Sequence, residues 1–307
     1  LHNSEKDFIK RHIGPSEDDQ SKMLKKLNYE SLDDLINNTV PEKIQFKGEL
    51  NIGESNSEYE ALRKLKAISK KNEIYSNFIG MGYYGTYTPY VILRNILENP
   101  GWYTSYTPYQ PEVAQGRLEM LLNFQQMIVD FTGMDIANAS LLDEGTAAAE
   151  AMGLSYRLDK SDSNLVFVSE NCHPQTVEVI RTRAEPMGLK VLVGNEDKVL
   201  EQLKEDIVCG ILQYPGTLGD IKDPSEAISK IRKKNGKAIL ACDLLALAKI
   251  KTPRELGADI AVGSSQRFGI PMGYGGPHAA FFATKDEFKR SMPGRIVGVS
   301  VDRHGNK

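Results

Sequence analysis

The stretch that decides the fold is residues 207–243, IVCGILQYPGTLGDIKDPSEAISKIRKKNGKAILACD. Two apolar runs, IVCGILQYP and AILACD, flank a segment with helical spacing, SEAISKIRKKNG. Continuous apolar runs of this length are typical of parallel strands that are buried on both faces. The stretch therefore predicts a strand, a helix and a second strand of one α/β sheet.

The same alternation continues on both sides of this unit. Four further apolar runs follow residue 163, namely NLVFVS, KVLVG, DIAVGS and AAFFAT, and QTVEVIRTRAEPMG is a helical segment between the first two. Two helices are predicted earlier, at 111–133 and at 143–158, and the first of them is expected to be well buried because few polar residues interrupt its apolar positions. We predict a three-layer, mainly parallel sheet with helices on both faces, spanning residues 111–307.

Residues 1–110 are predicted to form a separate N-terminal segment, a helical arm followed by a tyrosine-rich loop. SEDDQSKMLKKL and SLDDLINNTVP each begin with a serine that suits a helix cap, and residues 57–72 predict an amphipathic helix. Residues 75–111 contain eight of the thirteen tyrosines and repeat Tyr-Thr-Pro-Tyr twice. Long loops that keep many aromatic residues are more often functional than idle.

Composition and charge exclude several classes of function. The chain has 307 residues, with 38 basic and 41 acidic side chains and a net charge of −3, which favours neither nucleic acid nor an anionic membrane. No apolar run is long enough to span a bilayer. Three separated cysteines and five separated histidines predict no disulfide framework and no metal site. We expect a cytoplasmic protein, although a processed mitochondrial form would look the same.

Known nucleotide and nucleophile motifs are missing. The sequence has no G-x-G-x-x-G after a first strand, no G-x-x-x-x-G-K-[ST] and no G-x-S-x-G. The glycine-rich segment GYGGP lies late in the chain and does not open a helix.

Polar residues follow several predicted strands at the point where each strand ends. His173 follows VFVS, Asp243 ends AILACD, and Ser264-Ser265-Gln266 follows DIAVG. In open α/β sheets, ligands bind outside the carboxyl ends of the strands, so these groups are expected to face one crevice. Gly145 and Thr146 open a helix whose free N–H groups suit a phosphate, although a plain capped helix would have the same local sequence.

Several long motifs resemble one known family. RHIGPSEDDQSKML, YYGTYTP, NPGWYTSYTPYQPEVAQGRLEMLLNFQ, SLLDEGTAAAEAM and SSQRFGIPMGYGGPHAAFFA are similar, nearly phrase for phrase, to the N-terminal half of the P-proteins of the glycine cleavage system. These are glycine dehydrogenases (decarboxylating) of the fold-type I pyridoxal-phosphate family. The resemblance covers essentially the whole chain.

The resemblance implies that this half has no catalytic residue of its own. Gln266 lies where the catalytic half has its Schiff-base lysine, and Ser265 lies where that half has a histidine. His173 matches the residue that stacks on the cofactor ring, and Asp243 matches the partner of the ring nitrogen. A glutamine amide is not nucleophilic, so Gly145, Thr146, His173, Asp243 and Ser265 are interpreted as a vestigial pocket. Retention of these residues for structural reasons is an equally available interpretation.

The family also implies the reaction and the partners. Pyridoxal 5'-phosphate is expected on the C-terminal half or on a partner subunit, where glycine is decarboxylated. The aminomethyl group is then passed to the lipoyl group of the carrier H-protein. Because fold-type I active sites lie at subunit boundaries, the present half is expected to complete the site of the lysine-bearing half.

The tyrosine-rich loop offers the candidates for that contribution. Tyr83, Tyr84, Tyr103, Thr104 and Tyr106 are predicted to line the glycine carboxylate or the lipoyl channel, because phenol groups form hydrogen bonds and exclude water. An aromatic interface that only packs is the alternative. In that case the chain would be a non-catalytic scaffold that docks the lipoyl carrier. A self-sufficient pyridoxal enzyme is a third possibility, against which Gln266 argues.

The end of the sequence also differs from the family. The family's first half continues into a smaller domain, whereas this chain stops after RIVGVSVDRHGNK. We expect a fragment without the C-terminal small domain, inactive when isolated.

Overall fold

The structure, a computed structural model, describes residues 11–12, 14–273 and 278–305. The chain divides into two compact units, Leu1–Ser76 and Asn77–Lys307. This division lies earlier in the chain than the predicted one between residues 110 and 111, so residues 77–111 of the tyrosine-rich segment are part of the second unit.

The described part of the first unit contains three helices, α1 (Glu17–Lys26), α2 (Leu32–Thr39) and α3 (Glu58–Ser69). Each begins after a serine whose hydroxyl accepts a hydrogen bond from a backbone N–H of the first turn, as the sequence predicts for α1 and α2. The apolar stripe of α3 is exposed within this unit. The capping residues are Ser16, Ser31 and Ser57.

The second unit is built on a seven-stranded sheet in the order β1-β7-β6-β5-β4-β2-β3. Five adjacent strands, β3, β2, β4, β5 and β6, are parallel to one another. Strand β7 runs antiparallel to both of its neighbours, β1 and β6. All six predicted apolar runs form strands, while β1, with two residues, is too short to show a periodicity. The strands are β1 (Ile136–Ala137), β2 (Leu165–Ser169), β3 (Lys190–Gly194), β4 (Cys209–Tyr214), β5 (Lys237–Cys242), β6 (Ile260–Ser264) and β7 (Ala280–Thr284).

Helices cover both faces of this sheet, which confirms the predicted three layers. Along β5, Ile239 and Ala241 belong to the apolar core beneath the helices α6 (Glu144–Leu158) and α7 (Pro174–Ala184). Ala238 and Leu240 belong to the core on the opposite face of the sheet. The period of two makes neighbouring residues contribute to different cores. The helices are α4 (Tyr90–Ile92), α5 (Pro111–Thr132), α6 (Glu144–Leu158), α7 (Pro174–Ala184), α8 (Glu196–Gln202), α9 (Ser225–Lys233) and α10 (Leu244–Leu247).

The predicted deep burial of α5 is wrong. Only Ala114, Gln125, Ile128 and Thr132 are buried along its 22 residues. The helix packs one face on the sheet, and its other face is exposed in the described chain because no second layer covers it. Gln125 is buried but satisfied, since its amide exchanges two hydrogen bonds with the backbone of Val297, at 2.8 and 2.9 Å.

Candidate functional site

Two adjoining cavities lie at the carboxyl edge of the parallel strands. The outer cavity has a volume of about 240 Å³ and the inner cavity about 20 Å³. Both are lined by Gly82, Glu144, His173 and Ser264. The sheet therefore brings together the strand ends that the sequence singled out.

The outer cavity lies where α6 and α7 begin. Asp143 caps α6 by accepting a hydrogen bond from the Thr146 N–H at 2.7 Å, so this donor of the predicted phosphate turn is already engaged. Gly145 lines the cavity and is packed closely against α7, since a Cβ on it would lie 3.2 Å from Val179 Cγ2. At the rim, the rings of Tyr83 and His278 meet edge to face, with centroids 6.1 Å apart.

Glu144 and His173 form the ionisable pair that both cavities share. Glu144 Oε1 lies 3.8 Å from His173 Nε2 and accepts a hydrogen bond from Gln213 Nε2 at 3.3 Å. His173 Nδ1 lies 3.1 Å from the Thr217 hydroxyl. Burial raises the pKa of Glu144 to about 7 and lowers the pKa of His173 to about 4. Near neutral pH the imidazole is therefore uncharged and the carboxyl group titrates.

The loop of residues 80–88, called the tyrosine loop below, covers the His173 ring. Gly82 has a φ of +85°, and a Cβ at this position would lie 3.1 Å from His173 Cδ2. Glycine is required both by this left-handed conformation and by the close approach. Gln175 Nε2 donates to the carbonyl oxygen of Met81 at 2.7 Å and fixes the same part of the loop.

Asp243 and Arg267 close the inner cavity. Arg267 Nε lies 3.3 Å from Asp243 Oδ1, which is close enough for an ion pair but not aligned for a hydrogen bond. The side chains are 18% and 15% exposed, so the pair is largely shielded from water. The Arg267 guanidinium also lies 5.3 Å from the centre of the Tyr84 ring and donates to the carbonyl oxygen of Gly85 at 2.5 Å. Arg267 thus links the end of β5 to the tyrosine loop.

The residues at this edge do not fit pyridoxal phosphate. Gln266, 2% exposed, offers no nucleophile for the cofactor aldehyde, and Asp243, the predicted partner of the ring nitrogen, is paired with Arg267. The inner cavity beside them measures about 20 Å³ and the adjoining outer cavity about 240 Å³, whereas small-molecule sites measure roughly 300–1,000 Å³. Gly82 lies against the His173 ring, which was predicted to stack on the cofactor.

Ser265 is used to close the turn after β6. Its hydroxyl and its backbone N–H both donate to the carbonyl oxygen of Ala279, each at 2.7 Å. Its neighbour Ser264 is the serine that lines both cavities. The sequence could not separate these adjacent serines, because their order in the turn does not reveal which side chain points inward.

The structure separates the five candidates of the tyrosine-rich segment into two groups. Tyr83 and Tyr84 line the outer and the inner cavity, respectively. Tyr103, Thr104 and Tyr106 are not among the described residues that line either cavity. Tyr106 instead lies under the Arg117 guanidinium, 5.7 Å from ring centre to Cζ.

Sequence reasoning missed Glu144 and Gln213 as site residues. Both had a signal: Glu144 stands in the first turn of a helix that was already a candidate, and Gln213 is the one polar residue within the apolar run ILQY. Arg267 was also not predicted to be a site residue. Its role beside Asp243 depends on the path of the tyrosine loop, which the sequence does not reveal.

Fold and site together define a class, the large domain of fold-type I pyridoxal-phosphate enzymes. The family model described as glycine cleavage system P-protein matches residues 10–307. The chain therefore belongs to the P-protein family of the glycine cleavage system.

Individual relatives agree with this membership. The chain is 82% identical over 307 residues to glycine dehydrogenase (decarboxylating) of Pelagibacter ubique, and 58% identical over 299 residues to that of Synechocystis. These matches cover 100% and 97% of this chain but only 32% and 30% of the relatives. The chain thus spans about a third of the length of the curated relatives it matches.

Solved structures show the same fold. A crystal structure of glycine decarboxylase (P-protein) of the glycine cleavage system, in inhibitor-bound form, matches with a TM-score of 0.86 and 33% identity, over 96% of this chain and 67% of that chain. The sphingosine-1-phosphate lyase of Burkholderia pseudomallei matches with a TM-score of 0.61 over 82% of this chain and 64% of that one. At 14% identity, this second likeness shows the fold alone. Separately, no helix within the described residues is long and apolar enough to cross a membrane.

Replacing Glu144 by Gln should change how stability depends on pH. The folded pKa of Glu144, about 7, exceeds its usual value of 4.5, so its stabilising contribution is complete below pH 4.5 and is lost as the pH rises through 7. The folded pKa of His173, about 4, lies below its usual 6.5, so its contribution is complete above pH 6.5 and is lost as the pH falls through 4. In the wild-type chain the two trends oppose each other between pH 4.5 and 6.5.

Glu144→Gln should leave only the His173 trend. We expect the free energy of unfolding of the variant, relative to wild type, to rise by about 3 kcal/mol between pH 4.5 and 7, measured by urea unfolding. Glu150→Gln, on the same helix but paired with Arg183 at the surface, is the matched control and should show no rise of that size. A pH-independent difference for Glu144→Gln would contradict the pKa shift.

Replacing Arg267 by Met should loosen the tyrosine loop. Methionine keeps an unbranched chain but loses the bond to the Gly85 carbonyl and the contact with the Tyr84 ring. We expect faster hydrogen–deuterium exchange in residues 80–88, with a peptide covering β3 as the internal reference. Arg254→Met, which removes an Arg–Asp pair to Asp135 elsewhere, is the control. If Arg267→Met accelerated exchange equally in residues 80–88 and in the β3 peptide, Arg267 would not be the residue that holds this loop.

Proposed function

We propose that this chain is the N-terminal part of a glycine decarboxylase, which acts only together with a lysine-bearing half. Membership of the P-protein family over residues 10–307 supports the assignment, as do relatives named glycine dehydrogenase (decarboxylating). The single observation that supports a separate lysine-bearing half is Gln266, a buried amide where the cofactor lysine is expected. Pyridoxal phosphate and the lysine then belong to the C-terminal half or to a partner subunit.

The proposed reaction transfers the aminomethyl group of glycine to the lipoyl group of the H-protein. The bond between the α-carbon of glycine and its carboxyl group breaks and CO₂ leaves. The α-carbon, with its amino group, forms a bond to one sulfur of the lipoyl disulfide while the sulfur–sulfur bond breaks, and the other sulfur leaves as a thiolate that takes up a proton. Pyridoxal phosphate, when bound on the other half, supplies the electron sink for this decarboxylation.

This chain would contribute the tyrosine loop to the composite site. Tyr83 lies at the rim of the outer cavity, and Arg267 holds the neighbouring Tyr84 in place. Phenol groups in such positions hydrogen-bond a substrate carboxylate and exclude water at the same time. Burial raises the pKa of Tyr84, so its hydroxyl keeps its proton and acts as a donor.

A scaffold role is the second candidate, and it rests on the other tyrosine group. Tyr103 is 77% exposed, and Tyr106 packs under Arg117 outside both cavities. These residues and Thr104 would then form an aromatic surface for the lysine-bearing half or for the lipoylated H-protein. In this role the chain would bind its partners without affecting the chemical step.

The compartment and the domain division are also proposals. The three cysteines are free, buried thiols, and the closely matching relatives named above are bacterial, which favours the bacterial cytoplasm. The predicted division into residues 1–110 and residues 111–307 stays a proposal, beside the two compact units that divide between Ser76 and Asn77.

Complementation tests the proposed function directly. This chain and the lysine-bearing remainder of the Pelagibacter ubique relative would be purified separately and assayed for exchange of the glycine carboxyl group with bicarbonate. We expect little exchange from either part and restored exchange from the mixture, because the composite site needs both. If the lysine-bearing part alone were as active as the mixture, the proposed contribution of this chain would be wrong.

Replacing Tyr83 by Phe separates the two candidate functions. Loss of one hydrogen bond in the transition state should lower the exchange rate about 10-fold, with association of the two parts unchanged. Tyr156→Phe, on the exposed C-terminal part of α6, is the matched control and should leave the rate unchanged. An unchanged rate for both Tyr83→Phe and Tyr106→Phe, together with weaker association, would favour the scaffold.

A further inference from the structure

Three residues that line the inner cavity each have a buried side-chain atom with no hydrogen-bond partner among the residues that the structure describes. These atoms are Gln213 Oε1, Gln266 Nε2 and Arg267 Nε. Gln213 lies near the end of β4, and the other two belong to the turn that follows β6. Within the described chain, these three are the full set of buried side-chain atoms in this condition. Because the three residues all line one cavity, a shared ligand explains these atoms better than three separate defects.

The size of the cavity suits one water molecule. Its volume of about 20 Å³ exceeds the roughly 10–15 Å³ that a single water requires and is too small for a larger ligand. A buried water typically makes about three hydrogen bonds to groups that would otherwise be unsatisfied. The cavity supplies that number of unpartnered atoms.

The polar groups also match water in type. Gln266 Nε2 and Arg267 Nε are donors that a water oxygen can accept, and Gln213 Oε1 accepts a proton from it. The carboxyl groups of Glu144 and Asp243 line the same cavity and offer an acceptor for the second proton. A cation would face the Arg267 guanidinium and two N–H donors, whereas an anion would face two carboxyl groups. A neutral molecule that both donates and accepts is therefore favoured over an ion.

We propose that a single water molecule binds in the inner cavity and bridges Gln213, Gln266 and Arg267. This water joins the end of β4 to the turn after β6 and completes the hydrogen bonds of the arginine that holds the tyrosine loop. Gln266 is then a ligand of a structural water and contributes to the stability of the turn. The inference is independent of the proposed catalytic role, because it concerns only the hydrogen bonds of this chain.

A crystal structure of the chain that resolves ordered water gives the direct test. We expect one density peak in the inner cavity, at about 3 Å from Gln213 Oε1, Gln266 Nε2 and Arg267 Nε. Well-ordered side chains around a cavity without such a peak would overturn the proposal. So would amide and guanidinium groups that turn to pair with one another directly.

The sign of a change in melting temperature gives an independent test. Gln266→Met keeps an unbranched side chain of similar length but removes the donor. If the water is bound, the variant leaves it and its other partners short of a hydrogen bond, and we expect the melting temperature to fall by about 2–4 °C. If Gln266 Nε2 is truly unpaired, removing it relieves a buried unsatisfied group and the melting temperature should rise, which would overturn the proposal.

Two further variants check the interpretation of this change in melting temperature. Gln115→Leu, at an exposed position of α5, controls for the general effect of replacing a glutamine by an apolar residue and should leave the melting temperature unchanged. Gln213→Met removes the acceptor on the opposite side of the cavity together with its bond to Glu144, and should also lower the melting temperature. In the double variant the two losses should be less than additive, because both residues bind the same water. Full additivity would contradict a shared ligand.

Discussion

The ion pair between Asp243 and Arg267 connects the parts of the molecule on which the site depends. Asp243 follows β5, Arg267 follows β6, and the guanidinium extends from there to the backbone and to Tyr84 of the tyrosine loop. A largely buried pair contributes little net stability beyond an apolar replacement, but removing one partner leaves a costly unpaired charge. The main effect of the pair is therefore to fix the position of the tyrosine loop. The pair involves Asp243, the aspartate that the family resemblance predicts to be a partner of the cofactor ring.

The second constraint is the burial of Glu144 beside His173. Glu144 stands in the first turn of α6, where the helix dipole favours a negative charge by about 0.3–1 kcal/mol, up to about 2 kcal/mol in partly buried sites. Desolvation acts in the opposite direction and is larger, since it raises the pKa of this carboxyl group to about 7. The same burial keeps His173 neutral. The outer cavity therefore presents polar groups with little fixed charge near neutral pH.

Much of the fold could be predicted from the sequence, because the signals are local. Continuous apolar runs marked every strand longer than two residues, and serine caps marked the helices of the first unit. The strand ends also indicated which polar residues would meet, because parallel strands share one carboxyl edge. The burial of α5 was predicted wrongly, since apolar spacing shows which face of a helix can be covered but not whether anything covers it. The site was predictable only in part for a similar reason: the path of the tyrosine loop and the inward turn of Ser264 depend on long-range packing.

The sequence by itself determined the class of the sheet, the family and the presence of a glutamine at position 266, because these follow from residue types and their order. The glutamine at position 266 excludes an imine wherever the chain places it. Only the tertiary structure decided what occupies the pocket instead. Gly82 covers His173, Arg267 neutralises Asp243, and about 20 Å³ remains between them. Gly82 and His173 are 91 positions apart in the chain (173 − 82), and Asp243 and Arg267 are 24 apart (267 − 243), so these groups meet only when the sheet that carries them has formed.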